Sequence, residues 1–196
     1  MVGGSNRTAV VGNGTVAYQG LLLPFFGATI LLSAALLFSV QPLFAKVVLP
    51  TLGGAPAVWS VALVFFQAVL LAGYLYAHLL TRYLPGKPSL IVHLLVMSAA
   101  LIALPLGMAD GWGRPPAQGA EFWLLGLFTV SIGLPFFALS ANAPLLQAWF
   151  ARTGHSSAKD PYFLYAASNV GSFTALLSYP FLIEPLTRVS GSIRNG

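Results

Sequence analysis

The sequence predicts an all-α, polytopic transmembrane helical bundle with about five spans. Hydrophobic residues make up 57% of the chain, charged residues make up 7%, and the mean hydropathy is +0.83. A soluble domain carries roughly 25% charged residues. The charged residues here are gathered in short segments between apolar runs of about 20 residues, the length a helix needs to cross a hydrocarbon core. Because the core of a bilayer offers the backbone no water, these runs are predicted to be helices.

The number and distribution of the charged residues limit the kinds of molecule that the chain is expected to bind. The formal net charge is +5, but the nine basic residues are scattered and form no stripe or patch. We therefore interpret them as signals of membrane topology and as contacts to lipid headgroups, and we predict a lipid bilayer and no nucleic acid as partners. The absence of Cys excludes disulfides and thiolate metal sites.

Proline and glycine clusters divide the apolar sequence into five predicted spans inside one transmembrane domain, residues 19–186. The predicted spans cover residues 21–49, 57–83, 89–106, 121–150 and 161–184. A mobile N-terminal tail over 1–18 and a C-terminal tail over 187–196 are expected to flank them. Pro135 and Pro144 predict kinks in the fourth span because each removes a backbone donor. Asp160 as N-cap and Pro161 at the first helical position predict the start of the fifth.

The distribution of basic residues predicts an orientation. With five spans, one side of the membrane receives Arg7, Arg82, Lys87, Arg152 and Lys159. The other side receives Lys46, Arg114, Arg188 and Arg194. Lys46 lies within a span and the last two follow the final span, so the short loops favour a cytoplasmic N-terminus and an outside C-terminus. We predict a multi-pass protein of a bacterial inner membrane, cytoplasmic or intracytoplasmic.

No catalytic constellation is visible in the sequence. The motifs G-x-S-x-G, H-E-x-x-H and the phosphate-binding G-x-x-x-x-G-K-[ST] are absent. The chain is therefore predicted to be no enzyme and to hold no catalytic residue, cofactor or metal. A metal or haem site from His78 and His93 is conceivable if their helices pack together, but histidines that hydrogen-bond or lie at the interface, His155 included, are the favoured interpretation.

Polar residues inside the apolar runs form two stripes. In the second span Gln67, Tyr74 and His78 share one helix face, because they are spaced by seven and four residues. A similar stripe in the fifth span consists of Tyr162, Tyr165, Asn169 and Ser172. Both stripes are expected to point into the bundle or at a partner. They could line a polar cavity for a small substrate, or form interhelical hydrogen bonds worth roughly 0.6–2 kcal/mol each, which is the favoured alternative.

Small residues and scarce charges give two further predictions. Ala167, Gly171 and Ala175 form a small-residue ridge on the fifth span, and such ridges let helix backbones approach closely. Lys46 and Glu184 reach the same membrane level in the predicted topology and are candidates for an ion pair. The alternative is that Lys46 extends to the interface and Glu184 meets water independently.

Four sequence segments carry a family resemblance. The segments are Leu52–Trp59, Phe65–His78, Ser140–His155 and Asp160–Asn169. The segment Ser140–His155, which reads SANAPLLQAWFARTGH, is the most specific of the four. Together they resemble the membrane portion of the fused major-facilitator/spermidine-synthase-like proteins of bacteria, over most of residues 21–186.

The resemblance implies a transporter-like helical region that precedes a Rossmann-type domain similar to aminopropyltransferases. The sequence ends after the fifth predicted span, so the synthase domain has no counterpart and polyamine synthesis is not carried over. The resemblance thus implies a partial major-facilitator-like half, because a complete half has six helices.

Two hypotheses about function follow. The first is an accessory or structural subunit that docks through its helices against a larger membrane complex of respiratory or photosynthetic type. It is favoured because a chain without a catalytic domain or complete pathway still presents a helical surface. The alternative is a transporter-like component that forms a path for a small solute by oligomerising.

Overall fold

The computed structural model describes residues 6–52, 56–104, 111–112, 115–116, 118–160, 162–178 and 180–181. For the first helix the side-chain description covers residues 19–46. Within these ranges the chain is helical and contains no strand. The all-α prediction is therefore confirmed.

Six α-helices follow one another among the residues that the structure describes. They are α1 (Asn6–Leu52), α2 (Pro56–Tyr83), α3 (Lys87–Ile102), α4 (Ala120–Phe128), α5 (Leu134–Phe150) and α6 (Tyr162–Ser178). A π-helical turn, Thr129–Gly133, joins α4 to α5, so that Ala120–Phe150 is one continuous helical segment. A short 3₁₀ turn, Ser156–Lys159, precedes α6.

Three helical segments within the described part of the chain are long and apolar enough to cross a membrane. They are Gln19–Lys46, Pro56–Tyr83 and Ala120–Phe150. The helix α3 is apolar but has 16 residues, which at 1.5 Å per residue gives about 24 Å. The described part of α6 has 17 residues. The structure is thus a helical bundle of membrane type, and the crossings by α3 and α6 stay predictions.

Two helices begin earlier in the chain than predicted. The predicted N-terminal tail is helical from Asn6 onward and continues into α1. The segment contains no proline before Pro24, and extending an existing helix costs much less than nucleating one. The third helix begins at Lys87 instead of Ser89, because Pro88 lies in its first turn, where proline removes no hydrogen bond.

Proline affects the fourth span differently at its two positions. Pro135 is the second residue of α5, just after the π-helical turn where the hydrogen-bonding pattern changes, and π-type insertions are a known cause of helix distortion. The helix α5 continues through Pro144. A change in the helix is therefore found at Pro135 and no interruption at Pro144.

The segment containing α4 and α5 is the centre of the bundle. In its most apolar stretch 50% of the residues are buried by the chain itself, against 28% for α2. The helix α5 contacts α1, α2 and α3, while α6 packs mainly on α1. Aromatic side chains fill the core where α1, α2 and α4 meet, including Phe44, Phe66 and Phe128.

Two turns lie at the same end of the bundle. The guanidinium of Arg152, after α5, donates a hydrogen bond of 2.9 Å to the backbone oxygen of Thr81 in the last turn of α2. A cation suits a helix C-terminus because unpaired carbonyl groups give that end a partial negative charge. The basic residues of the two turns, Arg82, Lys87, Arg152 and Lys159, are all exposed.

Candidate functional site

The polar stripe of α2 lies on the outer surface of the bundle. Gln67 and His78 are exposed, and Tyr74 is 46% exposed. The buried face of α2 contains Phe66, Gly73 and Ala77, each one residue before a member of the stripe. One residue corresponds to about 100° around a helix, so the stripe faces away from the core. The expectation that it points into the bundle is wrong.

The stripe of α6 has the same arrangement. Tyr162, Tyr165 and Asn169 are exposed, while Ser172 is half-buried and donates to the backbone oxygen of Ser168 within its own helix. The inward expectation is wrong here too. The alternative, that both stripes face a partner, stays a prediction.

The small-residue ridge of α6 faces α1. Gly171 and Ala175 are buried and Ala167 is half-buried. A Cβ atom on Gly171 would collide with the backbone carbonyl of Leu31, so the two helices touch backbone to backbone. On α2, Gly73 meets Ser140 of α5 in a similar close contact.

A buried polar cluster lies inside the bundle, where three helices meet. The His93 side chain on α3 is 3% exposed, and its Nε2 atom lies 2.7 Å from Oδ1 of Asn142 on α5. The Asn142 Nδ2 group donates to the hydroxyl oxygen of Ser33 on α1 at 3.3 Å. Such contacts hold helices together where lipid removes the hydrophobic driving force.

The tautomer of His93 follows from the orientation of the Asn142 amide group. The amide group of Asn142 donates to Ser33 through Nδ2, so its Oδ1 atom faces His93 as an acceptor. Nε2 of His93 must then carry the hydrogen. In a neutral imidazole the other nitrogen, Nδ1, is an acceptor.

Aromatic rings enclose His93. The Trp149 ring lies 6.1 Å away between centroids, and the Tyr76 ring lies 6.0 Å away. The indole N–H of Trp149 donates to the Ser89 hydroxyl at 2.9 Å, and that hydroxyl donates to the backbone oxygen of Gly86 at 2.7 Å. Together these contacts tie the start of α3 to α5.

Two buried polar atoms of the cluster have no protein partner within the described residues. They are the hydroxyl oxygen of Tyr76 and Nδ1 of His93. Buried polar groups in proteins are overwhelmingly hydrogen-bonded, so these two atoms are exceptions within the cluster.

The other predicted sites are placed as follows. His78 is exposed on α2 whereas His93 is buried in the cluster. His155 accepts a hydrogen bond through Nδ1 from the backbone of Ser157 and so caps the 3₁₀ turn. Over the described ranges no group of three or more metal-ligating side chains occurs. Lys46 is exposed and Glu184 lies outside the described residues, so the ion pair stays a prediction.

The cluster escaped the sequence analysis because each helix contributes only one member. Ser33 and Asn142 are isolated polar residues within apolar runs, whereas a polar helix face is recognisable only where several polar residues recur on one helix. The interpretation of His93 as a hydrogen-bonding histidine agrees with its contact to Asn142, but the sequence did not indicate the partner. The one signal of the cluster in the sequence was Asn142, a single amide side chain in the middle of a long apolar span.

Fold and site define a helical bundle of membrane type with a polar cluster at its centre. Comparisons with protein-family models, curated proteins and solved structures give no match to this chain. The resemblance to the membrane portion of the fused major-facilitator/spermidine-synthase-like proteins therefore stays a prediction.

Proposed function

We propose that this chain is a non-catalytic membrane protein that docks through α2 and α6 against the helices of a larger membrane complex. One observation carries the proposal. Gln67 lies near the middle of α2 and Asn169 near the middle of α6, and both amide side chains are exposed. Mid-helix residues meet the hydrocarbon of a membrane, unless another helix covers them.

The physical reason is the cost of an amide in hydrocarbon. Transfer of an amide from water to an apolar medium without a hydrogen bond costs roughly 2–7 kcal/mol. Two such groups on different helices therefore strongly favour association with a partner that presents a polar surface. Tyr74 and Tyr165, exposed on the same two stripes, add hydroxyl groups that can donate and accept across such an interface.

The first experiment isolates the chain from its native membrane in mild detergent and identifies the proteins that accompany it by mass spectrometry. We expect defined membrane subunits in fixed ratio. Leu71→Asn, on the outer face of α2, should lower their recovery. Leu95→Asn on α3 is the matched control, because Leu71 and Leu95 are 66% and 65% exposed. Equal losses for both variants, or a chain isolated alone, would contradict docking through α2.

A second candidate function is a transporter-like component whose solute path forms between copies of the chain. The same exposed stripes favour it, because in an oligomer they could face one another across a path. The discriminating result is a self-assembled chain that moves a solute into vesicles, with transport abolished by Gln67→Ala or Asn169→Ala. That result would establish transport and exclude the accessory function.

The proposed location is a bacterial inner membrane, with the basic turns after α2 and α5 in the cytoplasm. Four exposed basic residues at the same end of the bundle support this orientation. Because the chain has no Cys, single cysteines can report topology. Lys87→Cys should react with a membrane-impermeant maleimide only after permeabilisation, and Gln118→Cys should react in intact cells. The opposite labelling pattern would reverse the orientation.

A further inference from the structure

We propose that the hydroxyl of Tyr76 and Nδ1 of His93 together bind one water molecule inside the bundle. Both atoms are buried, and neither has a hydrogen-bond partner among the described residues. The two rings lie 6.0 Å apart between centroids. The two atoms without partners therefore belong to neighbouring side chains of the same cluster.

The two atoms are chemically complementary toward water. His93 donates through Nε2 to Asn142, so Nδ1 of the neutral ring presents a lone pair. The Tyr76 hydroxyl can donate its hydrogen. A water molecule that accepts from Tyr76 and donates to His93 satisfies both atoms at once.

The remaining polar groups near His93 are already engaged. The Trp149 indole N–H donates to Ser89, and the Ser89 hydroxyl donates to Gly86. The Asn142 amide contacts His93 on the Nε2 side of the ring. Tyr76 is therefore the neighbouring donor that remains for Nδ1.

The surroundings restrict the ligand to a small, neutral, protic molecule. The Phe137 ring lies 5.2 Å from Tyr76 and the Trp149 ring 6.1 Å from His93, so aromatic faces enclose the site. An open apolar groove of about 460 Å³ runs along α2 on the Tyr76 side. The Tyr76 hydroxyl oxygen itself is buried.

The bound water would complete a hydrogen-bonded chain across the bundle. Its order is Tyr76 on α2, water, His93 on α3, Asn142 on α5 and Ser33 on α1. Four helices would then be joined through one continuous set of polar contacts. Buried waters that bridge such groups act as part of a protein's structure.

Solid-state NMR can test the site in the full chain, labelled with ¹⁵N in its histidine rings and reconstituted in phosphatidylcholine bilayers. We expect His93 to show an unprotonated Nδ1, a protonated Nε2 and magnetisation transfer from water protons to Nδ1. His93→Gln assigns the signals by removing them.

Tyr76→Phe removes only the hydroxyl group. We expect it to abolish the transfer from water and to move the Nδ1 signal toward that of a lone pair without a donor. Tyr74→Phe, an exposed tyrosine on the same helix, is the matched control and should change neither signal. Unchanged His78 and His155 signals verify that the variant is folded.

Three results would overturn the proposal. One is an Nδ1 signal that is the same with and without the Tyr76 hydroxyl. Another is transfer from the Tyr76 hydroxyl proton directly to Nδ1, which would mean a direct bond without water. The third is a protonated Nδ1, because the ring would then offer the water no lone pair.

Discussion

Polar side chains occupy two contrasting regions of this bundle. Inside, Ser33, His93 and Asn142 come from three helices and hydrogen-bond to one another. Outside, the stripes of α2 and α6 show a regular helical period and lie exposed. The stripe residues for which hydrogen bonds are described bond within their own helix, as Ser172 does to Ser168.

The comparison shows which residues of a helix face the neighbouring helix. On α2 the buried Gly73 and Ala77 each precede an exposed stripe residue by one position, and on α6 the buried Gly171 lies two positions after the exposed Asn169. Gly73 and Gly171 permit backbone approach, which gives close van der Waals contact along the helix. An isolated polar residue is buried where it finds a hydrogen-bond partner on another helix. The helical period of polar residues does not determine whether they are buried.

The largest effect on stability is expected at the small-residue ridge of α6. Gly171→Leu should separate α6 from α1, because even a Cβ atom meets the Leu31 carbonyl. Overpacking of this kind costs about 1–3 kcal/mol, and more where backbone is the obstacle. Thermal unfolding in detergent measures it. Gly27→Ala in the same interface is the control, since its nearest neighbour is the Phe163 side chain at 3.6 Å. Equal destabilisation by both would contradict the backbone contact.

The next largest effect on stability is expected at Asn142, and Asn169 serves as the comparison. Asn142→Ala should leave Nε2 of His93 buried without an acceptor, at a cost of about 1–3 kcal/mol. Asn169→Ala on the exposed stripe should change the stability of the isolated chain by less than about 0.5 kcal/mol. Equilibrium unfolding of the two variants in the same detergent gives the comparison. A larger loss at Asn169 would place the structural polar contacts on the outer surface.

A smaller effect is expected at the contact between Trp149 and Ser89. A double-mutant cycle with Trp149→Phe and Ser89→Ala should give a coupling energy of about 0.6 kcal/mol, typical of hydrogen bonds between membrane helices. Unfolding of the wild type, both single variants and the double variant measures it. Additive effects would show that the hydrogen bond contributes no net stability.

The smallest effect on the isolated chain is expected at Gln67. Gln67→Leu removes an exposed amide that makes no contact with the core, so stability in detergent should stay within about 0.5 kcal/mol of the wild type. Recovery of partner subunits from the membrane should nevertheless fall. Loss of stability in the isolated chain would mean that Gln67 has an internal role.

Prediction from sequence succeeded for properties that a single helix carries. Of the five spans predicted from apolar length, three correspond to described segments long and apolar enough to cross a membrane, and α2 and α6 begin within a residue of Pro56 and Pro161. It failed at the N-terminal segment, whose Gly and polar residues suggested a tail although α1 begins at Asn6. Local composition carries too little information to stop a helix that a neighbouring apolar run has nucleated.

The sequence by itself determined the fold class and the polar stripes, because hydropathy, proline position and helical period act within one segment. Only the tertiary structure decided that Ser33, His93 and Asn142 meet, and that both stripes face outward. These outcomes depend on how the helices rotate against one another. Rotation is set by backbone contacts such as Gly171 on Leu31, which involve residues far apart in the chain.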